Sequence, residues 1–228
     1  MPNDRIAVEL TEVSKSYGYL QALKSVTLKL KTGEFSALSG HNGAGKTTLL
    51  KMIATHITPS SGTVKIFGDD AFKDGAAGEI RNRIGFVTHA SFLYDELTIR
   101  ENLLFYAKLF LIKGEEDFIE TIGFLGLKRW YNVPVKQLSH GLRKRADIVR
   151  ALIHNPDLIL LDEPFSGLDT TTCDLLVSYF KGRHEEKGKT LILSSHSLEW
   201  AKRICEKQIT LDKGKIIEES SFHNIDEE

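Results

Sequence analysis

The stretch Gly40-His41-Asn42-Gly43-Ala44-Gly45-Lys46-Thr47-Thr48 satisfies the phosphate-loop pattern of glycine, four residues, then Gly-Lys-Ser/Thr. The alternating run Glu34-Phe35-Ser36-Ala37-Leu38-Ser39 before it reads as a strand, and residues 46–53 carry good helix formers with Leu49, Leu50 and Ile53 on one side. A glycine-rich turn binding nothing is the plain alternative, and the strand-to-helix context argues against it. Glycines at 40, 43 and 45 admit backbone angles closed to other residues, so successive N–H groups can converge on a phosphate at the positive end of the helix. Lys46 would reach the outer phosphates, and the Thr47 hydroxyl would coordinate Mg²⁺.

The chain has 228 residues, enough for one large domain or one domain carrying an insertion. Hydrophobic residues make up 41% and charged residues 27%, which points to neither disorder nor a membrane protein. No run approaches the roughly 20 apolar residues that cross a bilayer, since the longest apolar neighbourhood, residues 103–112, contains Lys108. Met1-Pro2-Asn3-Asp4-Arg5 leads into a strand pattern without the apolar segment of a secretory signal, so the cytoplasm is the expected location. Thirty basic residues against 31 acidic ones leave a formal charge of −1, and no nucleic-acid partner is expected. Cys173 and Cys205 are far apart in sequence, and the eight histidines form no ligand-spaced cluster, which excludes the usual zinc frameworks.

Residues 6–10 and 26–30 alternate and read as two antiparallel strands. After the loop and its helix, Thr58-Pro59-Ser60-Ser61-Gly62 is a break, residues 63–67 a strand, residues 68–78 a loop, and residues 84–87 a buried strand. From residue 90 to about 153 the pattern becomes helical, with helices expected over 98–111, 115–125 and 142–153. Leu158-Ile159-Leu160-Leu161 and Thr190-Leu191-Ile192-Leu193 are fully apolar strands on either side of a helix at 173–180. They imply a parallel sheet covered on both faces. Residues 209–211 and 216–217 read as a closing hairpin before a polar tail ending Asp226-Glu227-Glu228.

The strand at 158–161 delivers Asp162-Glu163-Pro164 to the carboxyl edge at which open α/β sheets bind ligands. Two acids there are costly unless a cation or a reacting water uses them. Asp162 is placed to hold Mg²⁺, and Glu163 to orient or deprotonate the attacking water. Past the next apolar strand, Ser194-Ser195-His196 ends in an imidazole that could contact the γ-phosphate or polarise that water.

Taken together these motifs resemble the nucleotide-binding domain of ABC transporters over nearly the full chain. Residues 40–48 match Walker A, Leu138-Ser139-His140-Gly141-Leu142 the signature, and residues 158–163 Walker B. Ser166-Gly167-Leu168-Asp169 resembles the D-loop, His196 the switch histidine, and Tyr17 the aromatic that stacks on adenine. The resemblance implies an α/β P-loop NTPase with a mainly parallel central sheet, N-terminal antiparallel β-strands and an inserted α-helical subdomain. Residues 1–228 would form one ABC ATPase domain, with residues 1–89 and 156–228 as core and 90–155 as the helical signature subdomain.

The resemblance further implies that two such ATPase subunits pack head to tail, each ATP lying between one subunit's Walker A and the other's signature. Ser139, His140, Gly141 and Asp169 would then act across the dimer, with ATP and Mg²⁺ as cofactors and integral membrane permease subunits as partners on the inner face of the membrane. ATP would close the dimer and hydrolysis reopen it. His89 stands where most members carry a glutamine that touches Mg²⁺ and the attacking water. It either takes over that catalytic and metal-binding task, in which case turnover falls at mildly acidic pH, or is a tolerated loop residue. His140 and Leu142 replace the usual glycine and glutamine of the signature. Ser91-Phe92-Leu93-Tyr94 is the expected permease contact, unless Phe92 and Tyr94 pack inside the subdomain. His89, the run from Phe92 to Asn102 and the Leu-Ser-His-Gly signature are similar to exporters of the haem and ABC-2 types. Soluble family members that act on ribosomes or DNA usually carry a second domain or a long coiled coil, and this sequence has neither.

Overall fold

The computed structural model describes residues 5–73, 75–185, 188–196 and 198–222, and the polar tail at 226–228 lies outside them. β1 (Ile6–Tyr17) and β2 (Leu20–Lys31) pair antiparallel, as expected, but both outrun the alternating residues that announced them. The register slips between Leu10 and Val13, where Glu12 adopts a φ of 51°, so the alternation changes phase in mid-strand and the readable pattern breaks off there. β3 (Phe35–Ser39) enters the phosphate loop and α1 (Lys46–Ile53) leaves it. β4 (Ser61–Ile66) pairs antiparallel with β1, and β5 (Asp69–Asp70) pairs antiparallel with β4.

Residues 68–78, expected to be loop throughout, contain β5 and the start of α2 (Ala76–Arg81). The six-residue helix is too short to show a 3.6-residue apolar period, and Ile80 is its one buried residue. β6 (Ile84–Val87) is buried at every position. Three helices follow: α3 (Ile99–Leu109), α4 (Glu116–Phe124) and α5 (His140–Leu152). α3 opens on a capping box. Thr98 Oγ1 accepts from the Glu101 amide at 3.1 Å and Glu101 accepts from the Thr98 amide at 2.8 Å, which satisfies two amides that the helix start leaves free. β7 (Leu158–Asp162), α6 (Thr170–Glu185), β8 (Thr190–Ser194), the short α7 (Leu198–Ala201), β9 (Lys207–Asp212) and β10 (Lys215–Ser221) complete the chain.

The strands form two sheets, one in the order β2-β1-β4-β5 and one in the order β10-β9-β3-β8-β7-β6. In the larger sheet every pairing is parallel except that of β10 with β9. Its strands are apolar on both faces because each face covers a separate core. Leu158 and Leu160 of β7 join the cluster built with α1 and the antiparallel sheet, while Ile159 and Leu161 join the cluster built with α3, α5 and α6. Each fully buried leucine contributes roughly 2 kcal/mol. The consequence for function is positional: β3, β7 and β8 run side by side, so the phosphate loop, Asp162-Glu163 and His196 all leave from one edge.

Candidate active site

The phosphate loop is shaped by close approaches that only glycine permits. A Cβ on Gly40, at φ 143°, would lie 2.2 Å from the Leu211 carbonyl oxygen, and one on Gly45, at φ 112°, would lie 2.8 Å from that of Ala22. The loop is thus pressed against β2 on one side and β9 on the other. Asn42 and Gly43 occupy its exposed crest, while Ala44 is buried beneath it. Lys46 is 6% exposed, and its Nζ donates to the carbonyls of Gly40 at 2.6 Å and His41 at 3.2 Å. Thr47 and Thr48 follow in the first turn of α1, Thr47 on the exposed side.

Facing the loop, Asp162 is 2% exposed, and its Oδ1 accepts from the Ser194 hydroxyl at 2.6 Å. Ser194 Oγ in turn accepts from the Glu163 amide at 3.0 Å. One buried hydroxyl therefore fixes both Walker B acids, and the sequence reading gave it no role. Glu163 itself sits at φ 51°, a left-handed conformation that a non-glycine residue adopts at some cost and that clusters at functional sites. Its Oε1 lies 3.9 Å from Lys46 Nζ, and its Oε2 3.0 Å from Nδ1 of His196. Lys46, Glu163 and His196, some 150 residues apart at the extremes, thus meet in one chain of contacts. Lys144 of α5 adds a nearby cation. Burial lowers its pKa, and Asp147, Asp162 and Glu163 oppose that shift.

Two oxygen donors, the exposed Thr47 hydroxyl and the buried Asp162 carboxylate, suit a hard cation such as Mg²⁺. No group of three His, Cys, Asp or Glu side chains among the described residues could hold a metal without further ligands. A cation here would need nucleotide oxygens and water to complete its shell. His89 is exposed, and its imidazole makes no hydrogen bond among the described residues. It follows Val87, which pairs with Leu161 one residue before Asp162. Tyr17 ends β1, 47% exposed, with Lys15 Nζ 5.2 Å from its ring centre.

The signature residues are arranged differently. Ser139 caps α5, its Oγ accepting from the Leu142 amide at 3.4 Å, so the helix starts at His140, two residues before the apolar face that announced it. His140 Nε2 lies 3.4 Å from the Ser166 carbonyl oxygen. Asp169 caps the first turn of α6 through Thr172, whose amide and hydroxyl each donate at 2.9 Å, and these bonds hold the Asp169 carboxyl below its ordinary pKa. Behind this surface Arg150 of α5 is buried. It donates to Asp147 Oδ1 at 2.8 Å and to the Phe86 carbonyl at 2.6 Å, with its guanidinium over the rings of Phe92 and Tyr106. Phe92 is 39% and Tyr94 51% exposed, while Leu93 between them is buried.

A strand, phosphate loop and helix facing an acid pair on the carboxyl edge of a mainly parallel sheet define a P-loop nucleotide hydrolase. The sequence profile described as ABC transporter matches residues 23–166, and the chain belongs to that family. It is 34% identical to the ABC transporter ATP-binding protein NatA of Bacillus subtilis, over 96% of this chain and 91% of the relative. It is 36% identical to the Nod factor export ATP-binding protein I of Rhizobium johnstonii, over 98% of this chain and 72% of the relative. Among solved structures, the dimeric ATP-binding cassette MJ0796 in a post-hydrolysis state with ADP and Pi superposes with a TM-score of 0.87 and 32% identity. That alignment covers 96% of this chain and 100% of the other. The chain is therefore an ATP-binding transporter subunit with ATPase activity.

Proposed function

We propose that this chain hydrolyses ATP as one half of a head-to-tail dimer and drives export through separate membrane subunits. The observation that carries the chemistry is Glu163, held between Lys46 and His196 with its backbone bonded to Ser194. The amides of residues 40–48 cradle the phosphates, Lys46 neutralises the outermost of them, and Tyr17 receives the adenine. Thr47 and Asp162 hold Mg²⁺, which supplies charge neutralisation at the phosphates when bound. Glu163 orients the attacking water and takes its proton, while His196, bonded to Glu163, sets the carboxylate's direction and reaches toward the γ-phosphate. His89, on the same sheet edge, takes the glutamine's place beside the water.

Ser139 and the amides at the start of α5 would form a second anion site, with Ser139 and His140 exposed. That exposure supports a role across a dimer, in which Ser139, His140, Gly141 and Asp169 complete the site on the partner. Residues 90–155 are read as the unit that carries this surface toward the membrane. The half-exposed rings of Phe92 and Tyr94 support permease docking on the cytoplasmic face of the membrane, and the export named for the Rhizobium relative supports the direction.

Hydrolysis by the wild type against Glu163→Gln tests the chemistry: the variant should bind ATP and fail to turn it over. An equally active variant would remove Glu163 from the mechanism. For the coupling, the subunit is reconstituted in vesicles with the membrane protein encoded beside it. Tyr94→Ala should abolish the partner's stimulation of ATPase activity and leave basal turnover unchanged. Stimulation that survives would move the docking surface elsewhere.

A further inference from the structure

The β9–β10 turn touches the phosphate loop at more than one point, and the turn's own residues lie outside every motif described above. β9 ends at Asp212, which pairs with Lys215, so Lys213 and Gly214 form a two-residue hairpin turn. Their φ angles, 46° and 82°, are both positive, as a type I′ turn requires, and such a turn holds its flanking residues tightly. The turn is also wedged in place. The Gly214 carbonyl accepts from the Lys24 amide at 2.8 Å, the Gly214 amide donates to the Ala44 carbonyl at 2.9 Å, and a Cβ on Gly214 would lie 2.7 Å from the Ala22 carbonyl oxygen.

From this rigid turn Asp212 reaches the crest of the phosphate loop. Its Oδ1 lies 2.9 Å from His41 Nε2, and the other ring nitrogen, Nδ1, lies 2.7 Å from the Asn42 carbonyl. Both oxygens are acceptors. In the doubly protonated ring both contacts are donations, and the one to Asp212 is charge-assisted. The imidazole thereby bridges the second and third residues of the loop to the end of β9. The His41 and Asp212 side chains are 56% and 40% exposed, so the pair is worth little to global stability. What it does constrain is the Asn42 carbonyl, and with it the Asn42–Gly43 peptide at the exposed crest of the loop.

We propose that Asp212 is a positioning residue for ATP, acting through His41 to hold the crest of the phosphate loop in its phosphate-binding conformation. The proposal rests on the reading of residues 40–48 as the phosphate cradle. A loop already held in the bound conformation loses less conformational freedom when ATP arrives, so the contribution falls on nucleotide affinity.

The test is a double-mutant cycle on His41→Ala and Asp212→Ala, with ATP affinity measured by a fluorescent ATP analogue and turnover measured separately. Each single variant should weaken binding by about twofold to fivefold, the range a partly exposed pair supports, and in Asp212→Ala the loss should fall on affinity and not on kcat. The double variant should be no weaker than either single one, because both remove the same contact. His41→Gln, which can still offer an N–H toward Asp212, should recover part of the loss. Unchanged affinity in Asp212→Ala, or losses that simply add in the double variant, would overturn the proposal. Lys46→Ala is measured alongside: if it also binds ATP normally, the reading of the phosphate cradle fails, whatever the tether does.

Discussion

The phosphate-loop face and the signature face differ in how their polar groups are satisfied. On the first, Asp162, Glu163, Ser194 and His196 bond to one another from neighbouring strands, with Lys46 paired to Glu163 at 3.9 Å, and the cation and the first acid are buried. On the second, Ser139 and Asp169 bond, among the described residues, within their own helical turns, and both are exposed. Under the proposed mechanism, the first face is the catalytic framework. The other is a presentation surface whose groups await something from outside. That difference is why, under the same mechanism, a chain carrying the catalytic side chains would still need a second copy.

The comparison breaks first if the framework is not internally complete. Lys46→Ala and Glu163→Gln should each cut hydrolysis by about a hundredfold or more, since each removes a group at the reacting phosphate. A steady-state assay with residual activity near wild type would show that the framework is not where turnover happens. Next in size is the buried link behind the signature. Burial raises the Asp147 pKa while Arg150 opposes it, so Arg150→Met strands a carboxylate beneath α5. Denaturant unfolding should show a loss of about 3 kcal/mol. A loss below about 1 kcal/mol would mean that the pair is dispensable to the fold.

The signature face should respond differently. Ser139→Ala should lower kcat by about tenfold, the effect of one lost phosphate contact, while a single subunit's affinity for ATP stays as it was. If ATP affinity of the isolated subunit falls instead, Ser139 serves its own nucleotide and the two faces are not distinct.

A pH-dependent effect concerns His154, stacked on Phe110 with its ring centre 3.9 Å away. Burial lowers its pKa to about 4, its Nε2 lies 3.0 Å from the Ile84 carbonyl, and its Nδ1 has no partner among the described residues. The ordinary value in an unfolded chain is about 6.5, so between those limits the unfolded state takes up a proton that the folded state refuses. Stability fully present above about pH 6.5 should therefore decline as pH falls toward 4. In unfolding curves across that range, His154→Gln should flatten part of the slope, and a slope identical to wild type would assign it to other groups.

What was legible in the sequence was whatever chemistry needs contiguous residues. The phosphate loop, the acids closing β7 and the serine capping α5 are local patterns whose context of strand, turn and helix is also local. The mainly parallel sheet followed from β7 and β8, since strands apolar at every position must be covered on both faces. The bulge at Glu12 hid the second half of β1, and α2 was too short to carry a period. Ser194 went unassigned because its role exists only when β7 and β8 pair, and Asp212 because it meets His41 across 171 positions. Contacts between neighbouring strands from distant parts of a chain leave no spacing to read.

The claim that the two faces complete each other only between subunits is tested most directly with the Glu163→Gln protein, in which ATP binds but is not consumed. Light scattering with and without ATP should show a monomer becoming a dimer, and the same experiment with Ser139→Ala added should show a weakened dimer. A Glu163→Gln protein that saturates with ATP and keeps the mass of a monomer would contradict the account.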